Sequence, residues 1–410
     1  MGVITSGTER YRQINWAFFA AGFVTFITLY DVQPLLPVFS REFGVSAATG
    51  SLPLSVTTCA LAVAMLFAGT LSETLGRKNV MVASLVATSL LALLTALTHT
   101  LPALLALRLL QGIALAGLPA VAMAYLSEEI DASSLTSAIG LYISGNAIGG
   151  MTGRIFTATV CEYVSWRAAL GAIGILCFMV SLYFAKSLPK STNFTRRPFQ
   201  ASYLFSSLYR QLLDPGLLCL FGISFLIMGS FITLYNYVTF RLLEPPYFLS
   251  QSLVSLIFLV YLLGSFSSSM VGRQVERFGR GRMLFLTMGT MLLGALATLS
   301  QSLTVIVAGI GIFTCGFFGA HTIASSWVGS RARSARAQAA ALYLFSYYFG
   351  SSVSGTIGGL FWSWYGWHGV VLLITVLLAL GGSLLKRLCA LSQCDSAASA
   401  ALPSLEASRS

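Results

Sequence analysis

Apolar residues along the chain fall into runs of about twenty or more, separated by short segments where charges, glycines and prolines collect. Twelve runs are legible, near 14–38, 49–71, 79–98, 102–126, 135–158, 166–188, 215–240, 250–272, 282–301, 304–327, 336–361 and 367–388. A helix rises about 1.5 Å per residue, so each run is long enough to cross a hydrocarbon core roughly 30 Å thick. The runs lack the alternation of a barrel strand, and a segment in lipid must satisfy its own backbone, so the pattern predicts helices. The expected class is an all-α integral membrane protein of twelve transmembrane helices. The first run follows Arg10 and Arg12 and has no small-residue cleavage site, which predicts a retained span rather than a signal peptide.

Composition agrees. Only 9% of the 410 residues are charged and 56% are hydrophobic, with a mean hydropathy of +0.81; a soluble domain carries about a quarter charged residues. The net charge of +11 suggests a nucleic-acid partner until the charges are placed. Nineteen of the 24 basic residues, among them Arg77, Lys78, Lys190, Arg196, Arg197, Arg280, Arg333 and Lys386, lie in the even-numbered loops and the two tails. That bias predicts cytoplasmic termini and accounts for the charge without nucleic acid. Of seven cysteines, Cys59, Cys177, Cys219 and Cys315 fall within spans, Cys161 lies beside one, and Cys389 and Cys394 sit in the tail. None has metal-ligand spacing, so they read as inert thiols, and neither a metal nor a cofactor is expected.

The least apolar internal stretch, 190–203, divides the chain into a six-helix half at 1–189 and another at 214–390, joined by a cytoplasmic loop at 190–213 and followed by a Ser/Ala-rich tail at 391–410 expected to be disordered. Both halves carry the same punctuation. Gly69-T-L-S-E-T-L-G-R-K follows the second run and Gly272-R-Q-V-E-R-F-G-R the eighth, 203 residues on. Gly145-N-A-I-G-G-M-T-G in the fifth run matches Gly350-S-S-V-S-G-T-I-G in the eleventh, 205 residues on. Two motifs at nearly one offset indicate a duplication, and two pseudo-symmetric halves around a midplane site are a transporter architecture.

These residues resemble the major facilitator superfamily, whose loop signature G-x-L-[A/S]-[D/E]-x-x-G-R-[R/K] is matched by Gly69, Leu71, Ser72, Glu73, Gly76, Arg77 and Lys78. A degenerate second copy holds Glu276, Gly279 and Arg280, and Arg108-L-L-Q-G resembles the R-x-x-Q-G motif of the fourth helix. At closer range, A124-Y-L-S-E-E-I, the glycine-rich 140–154 and L342-Y-L-F-S-Y-Y-F-G resemble the YnfM-type bacterial inner-membrane transport proteins, which are grouped with sugar and drug efflux proteins. The resemblance covers the twelve spans and not the tail. It implies an inner-membrane location, alternating access, and a latch in which the second span packs on the eleventh when the protein is open to the outside. The residues support such a cluster independently: Gly69 permits close helix approach, Glu73 stands where it can face Arg77 or a helix N-terminus, and Gly76 permits a tight reversal.

Three charges interrupt the apolar runs. Asp31, Arg108 and Arg154 lie on the first, fourth and fifth runs, each some five to seven residues from the expected outer edge at about 1.5 Å per residue. A charge at such depth persists when paired or facing a cavity. The reading pairs Asp31 with Arg108 as the proton-coupling site, with Arg108 also supported by the resemblance, and leaves Arg154 to Asp31 or the outer interface. Asp31 alternatively reads as an acid reaching the interface. Tyr30, Gln33, Asn146, Tyr235, Asn236, His321, Ser325, Tyr343 and Tyr347 are the expected cavity residues; His321 and Ser325, and Tyr343 and Tyr347, are four apart and share helix faces. For the histidine and tyrosines, packing is the competing use. In loop four–five Glu128, Glu129 and Asp131 face loop ten–eleven with Arg331, Arg333 and Arg336, either pairing across halves or simply solvated.

Gly145, Gly149 and Gly153 recur every four residues, making a smooth face for helix contact with Gly150 beside them, and Gly355 and Gly358 belong to the second copy. The stretch resembles an antiporter signature, G-x-x-x-G-P-x-x-G-G, except that Gly150 replaces the proline and Arg154 the last glycine. No catalytic constellation stands out and no G-x-x-x-x-G-K-[ST] nucleotide loop occurs, so neither an enzyme nor an ATP-driven pump is expected. The expected function is secondary active transport, with proton-coupled efflux of a small metabolite, sugar or drug-like solute ahead of proton-coupled import and of a transporter-like sensor. The expected partners are membrane lipid, a small-molecule substrate and protons, for a chain working as a monomer.

Overall fold

In the computed structural model the apolar runs are helices, and an isolated Ile4–Ile130 bridge is the only β pairing among the described residues. The structure describes residues 4–189, 191, 193–194, 200–332 and 335–407, with the backbone alone at 203, 265 and 392–407. Lys190, Arg196, Arg197, Arg333 and Arg409, counted above among the cytoplasmic charges, lie outside the described residues.

The first span is α1 (Glu9–Tyr30), a 3-10 turn (Gln33–Leu35) and α2 (Leu36–Glu42). The second and third spans are α3 (Ala47–Leu75) and α4 (Arg77–Ala96). The fourth is divided into α5 (Leu101–Leu115) and α6 (Pro119–Glu129), and α7 (Ala132–Tyr163) and α8 (Trp166–Ser187) follow. After α9 (Ala201–Leu212) come α10 (Pro215–Leu243), α11 (Gln251–Ser255), a 3-10 segment (Leu256–Val260) and α12 (Tyr261–Phe278). The chain ends with α13 (Arg280–Ala297), α14 (Leu303–Arg331) and α15 (Arg336–Ala407).

Side-chain caps set several starts: Ser46, Asp131, Ser165 and Ser250 each accept a backbone N–H from the first turn of the helix that follows. Gly76 and Gly279, 203 residues apart, turn between α3 and α4 and between α12 and α13 at φ +94° and +82°, where a Cβ is strained. Gly366, at φ +57°, breaks α15 into the eleventh and twelfth spans. Nine segments among the described residues are long and apolar enough to cross a membrane. The difference from twelve has a physical origin: α15 counts once for two spans, glycine, serine and threonine dilute α7, and α13 is short and begins with two arginines.

Two features depart from the sequence reading. The loop expected at 190–213 contains α9, whose buried Leu204, Ser207, Leu208 and Gln211 form one stripe beside exposed Phe205 and Tyr209. The tail expected to be disordered keeps a helical backbone to Ala407, across serines and Pro403 that disfavour a helix.

The chain forms two compact units. The first comprises Met1–Ala201, Ile232–Tyr261 and Ser351–Val370, and the second Ser202–Phe231, Leu262–Gly350 and Val371–Ser410. In the first unit Phe18 packs against Tyr125, Tyr142 and Phe184 at ring centroids 5.4–6.1 Å apart, which ties α1 to α6, α7 and α8. In the second, α13 and α14 touch where Gly294, Gly309 and Gly316 leave no room for a Cβ, and Phe231 stacks on Phe317 at 3.8 Å.

Candidate functional site

Within the first unit, α1 stops at Tyr30 and leaves its last carbonyls without helical partners. Arg108 of α5 fills that vacancy. Its Nη1 donates to the Thr28 carbonyl at 3.0 Å and the Gln111 Oε1 at 2.8 Å, and its Nη2 to the Leu29 carbonyl at 3.0 Å. Its Nε donates to the Pro53 carbonyl of α3 at 3.3 Å. Asp31, the residue that ends α1, completes the set with Oδ1 3.2 Å from Arg108 Nη1. Both side chains are 1% exposed, so the pair is dry. A guanidinium at a helix C-terminus also meets the negative end of the helix dipole. The structure thus brings Asp31 and Arg108 into one ion pair.

Arg154 is a different arrangement, and Asp31 is not its partner. Its Nε donates to Gln33 Oε1 at 2.6 Å and its Nη1 to the Gly150 carbonyl at 2.8 Å. Its guanidinium lies 4.0 Å from the ring centre of Tyr30, 5.0 Å from Phe258 and 4.9 Å from Tyr261. Three π faces offset part of the cost of burying the charge, about 2.5–3.5 kcal/mol on insertion scales. Gln33 passes the network on, donating Nε2 to Asn236 Oδ1 of α10 at 2.8 Å. Tyr235 stacks on Phe258 and meets Tyr261 edge-on, bracing the cage from behind. Four expected cavity residues, Tyr30, Gln33, Tyr235 and Asn236, therefore converge around Arg154.

The others fall elsewhere. Asn146 sits in the α1–α7 contact beside Gly22. In the second unit the Tyr343 hydroxyl is 3.0 Å from His321 Nδ1, and the Tyr347 ring is 4.9 Å from the imidazole. Ser325 instead donates back to the Thr322 carbonyl of its own helix.

The glycine stripe is a contact face. A Cβ on Gly145, Gly149 or Gly153 would strike α1 at Phe19, Phe23 and Ile27, three residues also four apart. In the second copy Gly350 meets Phe225, Gly355 meets Asn236 and Ile232, and Gly358 meets Tyr237. Gly150 has another use: a Cβ there would stand 3.2 Å from Arg154 Nη1.

At the end of the unit nearest Glu9, Arg77 pairs with Glu128 at 2.8 Å, donates to the Ser72 hydroxyl at 2.6 Å and stands 3.9 Å from Glu73. Lys78 donates to the Leu188 carbonyl. Gly69 lies 3.9 Å, as a Cβ position, from the Ala120 carbonyl. In the second copy Arg280 donates to the Ser330 hydroxyl. The acidic residues of loop four–five have local partners: Glu129 accepts from Ser191 and the Asn193 backbone, and Asp131 caps α7. Arg331 pairs with Asp214 at 2.7 Å.

Several contacts at the opposite end escaped the sequence. Glu42 pairs with Arg167 at 2.8 Å and accepts from the Trp166 indole. Thr356 donates to the Ser55 hydroxyl at 2.9 Å, and Gln251 donates to the Pro34 carbonyl. Glu162 accepts both the backbone N–H and the hydroxyl of Ser252, and these hydrogen bonds hold its carboxyl below the usual glutamate range. A depressed carboxyl stabilises the folded form above its unfolded pKa and loses that contribution as pH falls through the folded value. Thermal unfolding of Glu162→Gln is therefore expected to show a smaller acid-side loss than wild type below about pH 4.3; identical pH profiles would contradict the assignment.

Long apolar helices, buried charged groups and glycine-lined helix contacts are those of an all-α membrane transporter. The chain belongs to the Major Facilitator Superfamily, whose model matches residues 17–245. It is 51% identical to the MFS-type transporter YybF of Bacillus subtilis over 92% of this chain and 94% of that one. It is 45% identical to the inner membrane transport protein YnfM of Escherichia coli over 94% of this chain and 93% of that one. The fold matches the crystal structure of the nucleoside transporter NupG with a TM-score of 0.74 at 14% identity, covering 92% of this chain and 99% of that chain.

Proposed function

We propose that this chain exports a small solute by alternating access, driven by proton entry at the Asp31–Arg108 pair, with both termini in the cytoplasm and one chain sufficient. The observation that carries the coupling role is the dry ion pair itself, 3.2 Å long with both side chains 1% exposed. Burial favours the neutral acid and Arg108 favours the carboxylate, so a change in Arg108's distance switches which form is held. Arg108 is bonded to the last carbonyls of α1 and to α3, and relative movement of those helices changes that distance. Parting of Glu162 from Ser252 and of Gln33 from Asn236 is the movement this reading requires. The resemblance of the glycine stretch to the antiporter signature, from which it departs at Gly150 and Arg154, favours export; the alternative is proton-coupled import.

The test is flux in proteoliposomes across a metabolite and drug panel under an imposed pH gradient. Wild type is expected to accumulate or lose its solute with the gradient. Asp31→Asn, which keeps shape and an acceptor, is expected to exchange solute without following the gradient. Full gradient-driven flux in that variant removes Asp31 from the coupling.

A further inference from the structure

Asp31, Arg108 and Arg154 are charged side chains buried in the interior of the first, fourth and fifth spans, and Asp31 is taken by Arg108. Among the described residues no carboxylate stands within ion-pair distance of Arg154. The site thus carries one uncompensated positive charge at 2% exposure. Its hydrogen bonds occupy Nε and one position on Nη1, and the rings of Tyr30, Phe258 and Tyr261 lie against the guanidinium. Nη2 has no hydrogen-bond acceptor among the described residues, so one edge of the fork is unused.

Packing does not require an arginine there. The second copy of the glycine motif has Gly359 at the corresponding position, where the chain backs directly onto Ala48. The same helix contact is therefore built with no side chain at all. Arg154 is an addition to the fold, and Gly150 gives up its own side chain to the space beside Nη1. A second unsatisfied donor lies along the same network: Asn236 Nδ2 is fully buried without an acceptor, while its Oδ1 is held by Gln33. Buried donors of this kind are paired in most folded proteins, and each calls for an explanation.

We propose that Arg154 is the charge-recognition residue for a small organic carboxylate. The carboxylate docks on the free Nη2 edge while Gln33 and the three rings fix the guanidinium plane, and Asn236 Nδ2 is a further donor along the same network. A planar fork suits a carboxylate better than a point charge does. The bound anion neutralises the site, so a neutral solute leaves it charged and is disfavoured. This inference rests on the transport reading for the meaning of the site, yet its test is binding and needs no flux.

Purified full-length chain in lipid nanodiscs is titrated with matched acid and amide pairs: benzoate and benzamide, salicylate and salicylamide, succinate and succinamide, octanoate and octanamide. Thermal stabilisation and tryptophan fluorescence report binding. In wild type at least one acid is expected to bind roughly 10- to 100-fold more tightly than its amide, the range of a charge-assisted hydrogen bond. Arg154→Gln is expected to erase that ratio, and Arg154→Lys to retain part of it. Should Arg154→Gln fail to fold, the wild-type ratio and the lysine variant decide. Amides binding as well as acids, an unchanged ratio in Arg154→Gln, or no acid of the panel binding each overturns the proposal. Asp31→Asn separates the two readings: it keeps the acid preference even where proton coupling is absent.

Discussion

Arg108→Gln is expected to abolish gradient-driven transport and to lower the unfolding temperature sharply. Arg108 satisfies the end of α1 through Thr28 and Leu29, reaches α3 through Pro53, orients Gln111 and neutralises Asp31. Removing one partner of a buried ion pair costs about 3–5 kcal/mol, because the remaining charge is left dry and alone. Asp31 escapes part of that cost by taking up a proton, which leaves it fixed in the neutral form and ends its titration. Arg108→Lys keeps the charge, but three donors on a single ammonium cannot replace a fork that makes contacts in five directions. The lysine variant is therefore expected between glutamine and wild type in both stability and flux. Asp31→Asn is expected to cost less than Arg108→Gln, since the carbonyls of Thr28, Leu29 and Pro53 still hold the guanidinium. The pair should couple by more than about 0.5 kcal/mol in a double-mutant cycle, beyond the error of independent sites. Unimpaired flux from Arg108→Gln would reassign the arginine to packing alone.

The helices were legible because apolar length is nearly sufficient for a span, and because glycine and serine in α7 kept a four-residue rhythm even as they diluted its hydropathy. The Asp31–Arg108 pair was legible for a related reason: a charge in lipid needs a counter-charge, and depth along each helix narrows the choice. The cage around Arg154 was not. Tyr30, Gln33, Phe258 and Tyr261 come from spans whose relative rotation the sequence leaves open, and an aromatic ring in an apolar run looks the same whether it faces lipid or a guanidinium. The partner of Arg154 therefore stayed open between Asp31 and the outer interface, when π faces, the Gln33 amide and the Gly150 carbonyl serve it instead. Glu42 with Arg167, and Glu162 with Ser252, were missed because loop charges are ordinarily solvated and carry no pattern that marks a partner. The stripe on α9 was present in the apolar spacing of Leu204 and Leu208, but its polar neighbours made the stretch read as loop.

Gly149→Ala and Gly140→Ala, one methyl each on the same helix, are expected to move stability in opposite directions. Both residues lie within α7, and alanine is favoured over glycine in a helix by about 0.5–1 kcal/mol before packing is considered. A Cβ at Gly140 meets nothing within 4 Å, so that gain should be realised. A Cβ at Gly149 falls on the Phe23 carbonyl oxygen and 2.7 Å from the Phe23 Cα. Those atoms are backbone of α1, not the movable end of a side chain, so relief requires α1 and α7 to separate. Separation also loosens Gly145 against Phe19 and Gly153 against Ile27, because the three glycines share one face. Overpacking of this kind costs typically 1–3 kcal/mol, which exceeds the helix-propensity gain, and the Gly149 variant should unfold at lower temperature or fail to accumulate. Gly350→Ala repeats the experiment in the other copy of the motif, where the Cβ meets the Phe225 carbonyl, and should behave like Gly149→Ala. Thermal unfolding of the three variants in nanodiscs decides the matter: equal midpoints for Gly149→Ala and Gly140→Ala would mean that the two helices have room to give, and that the stripe is not the close contact its geometry describes.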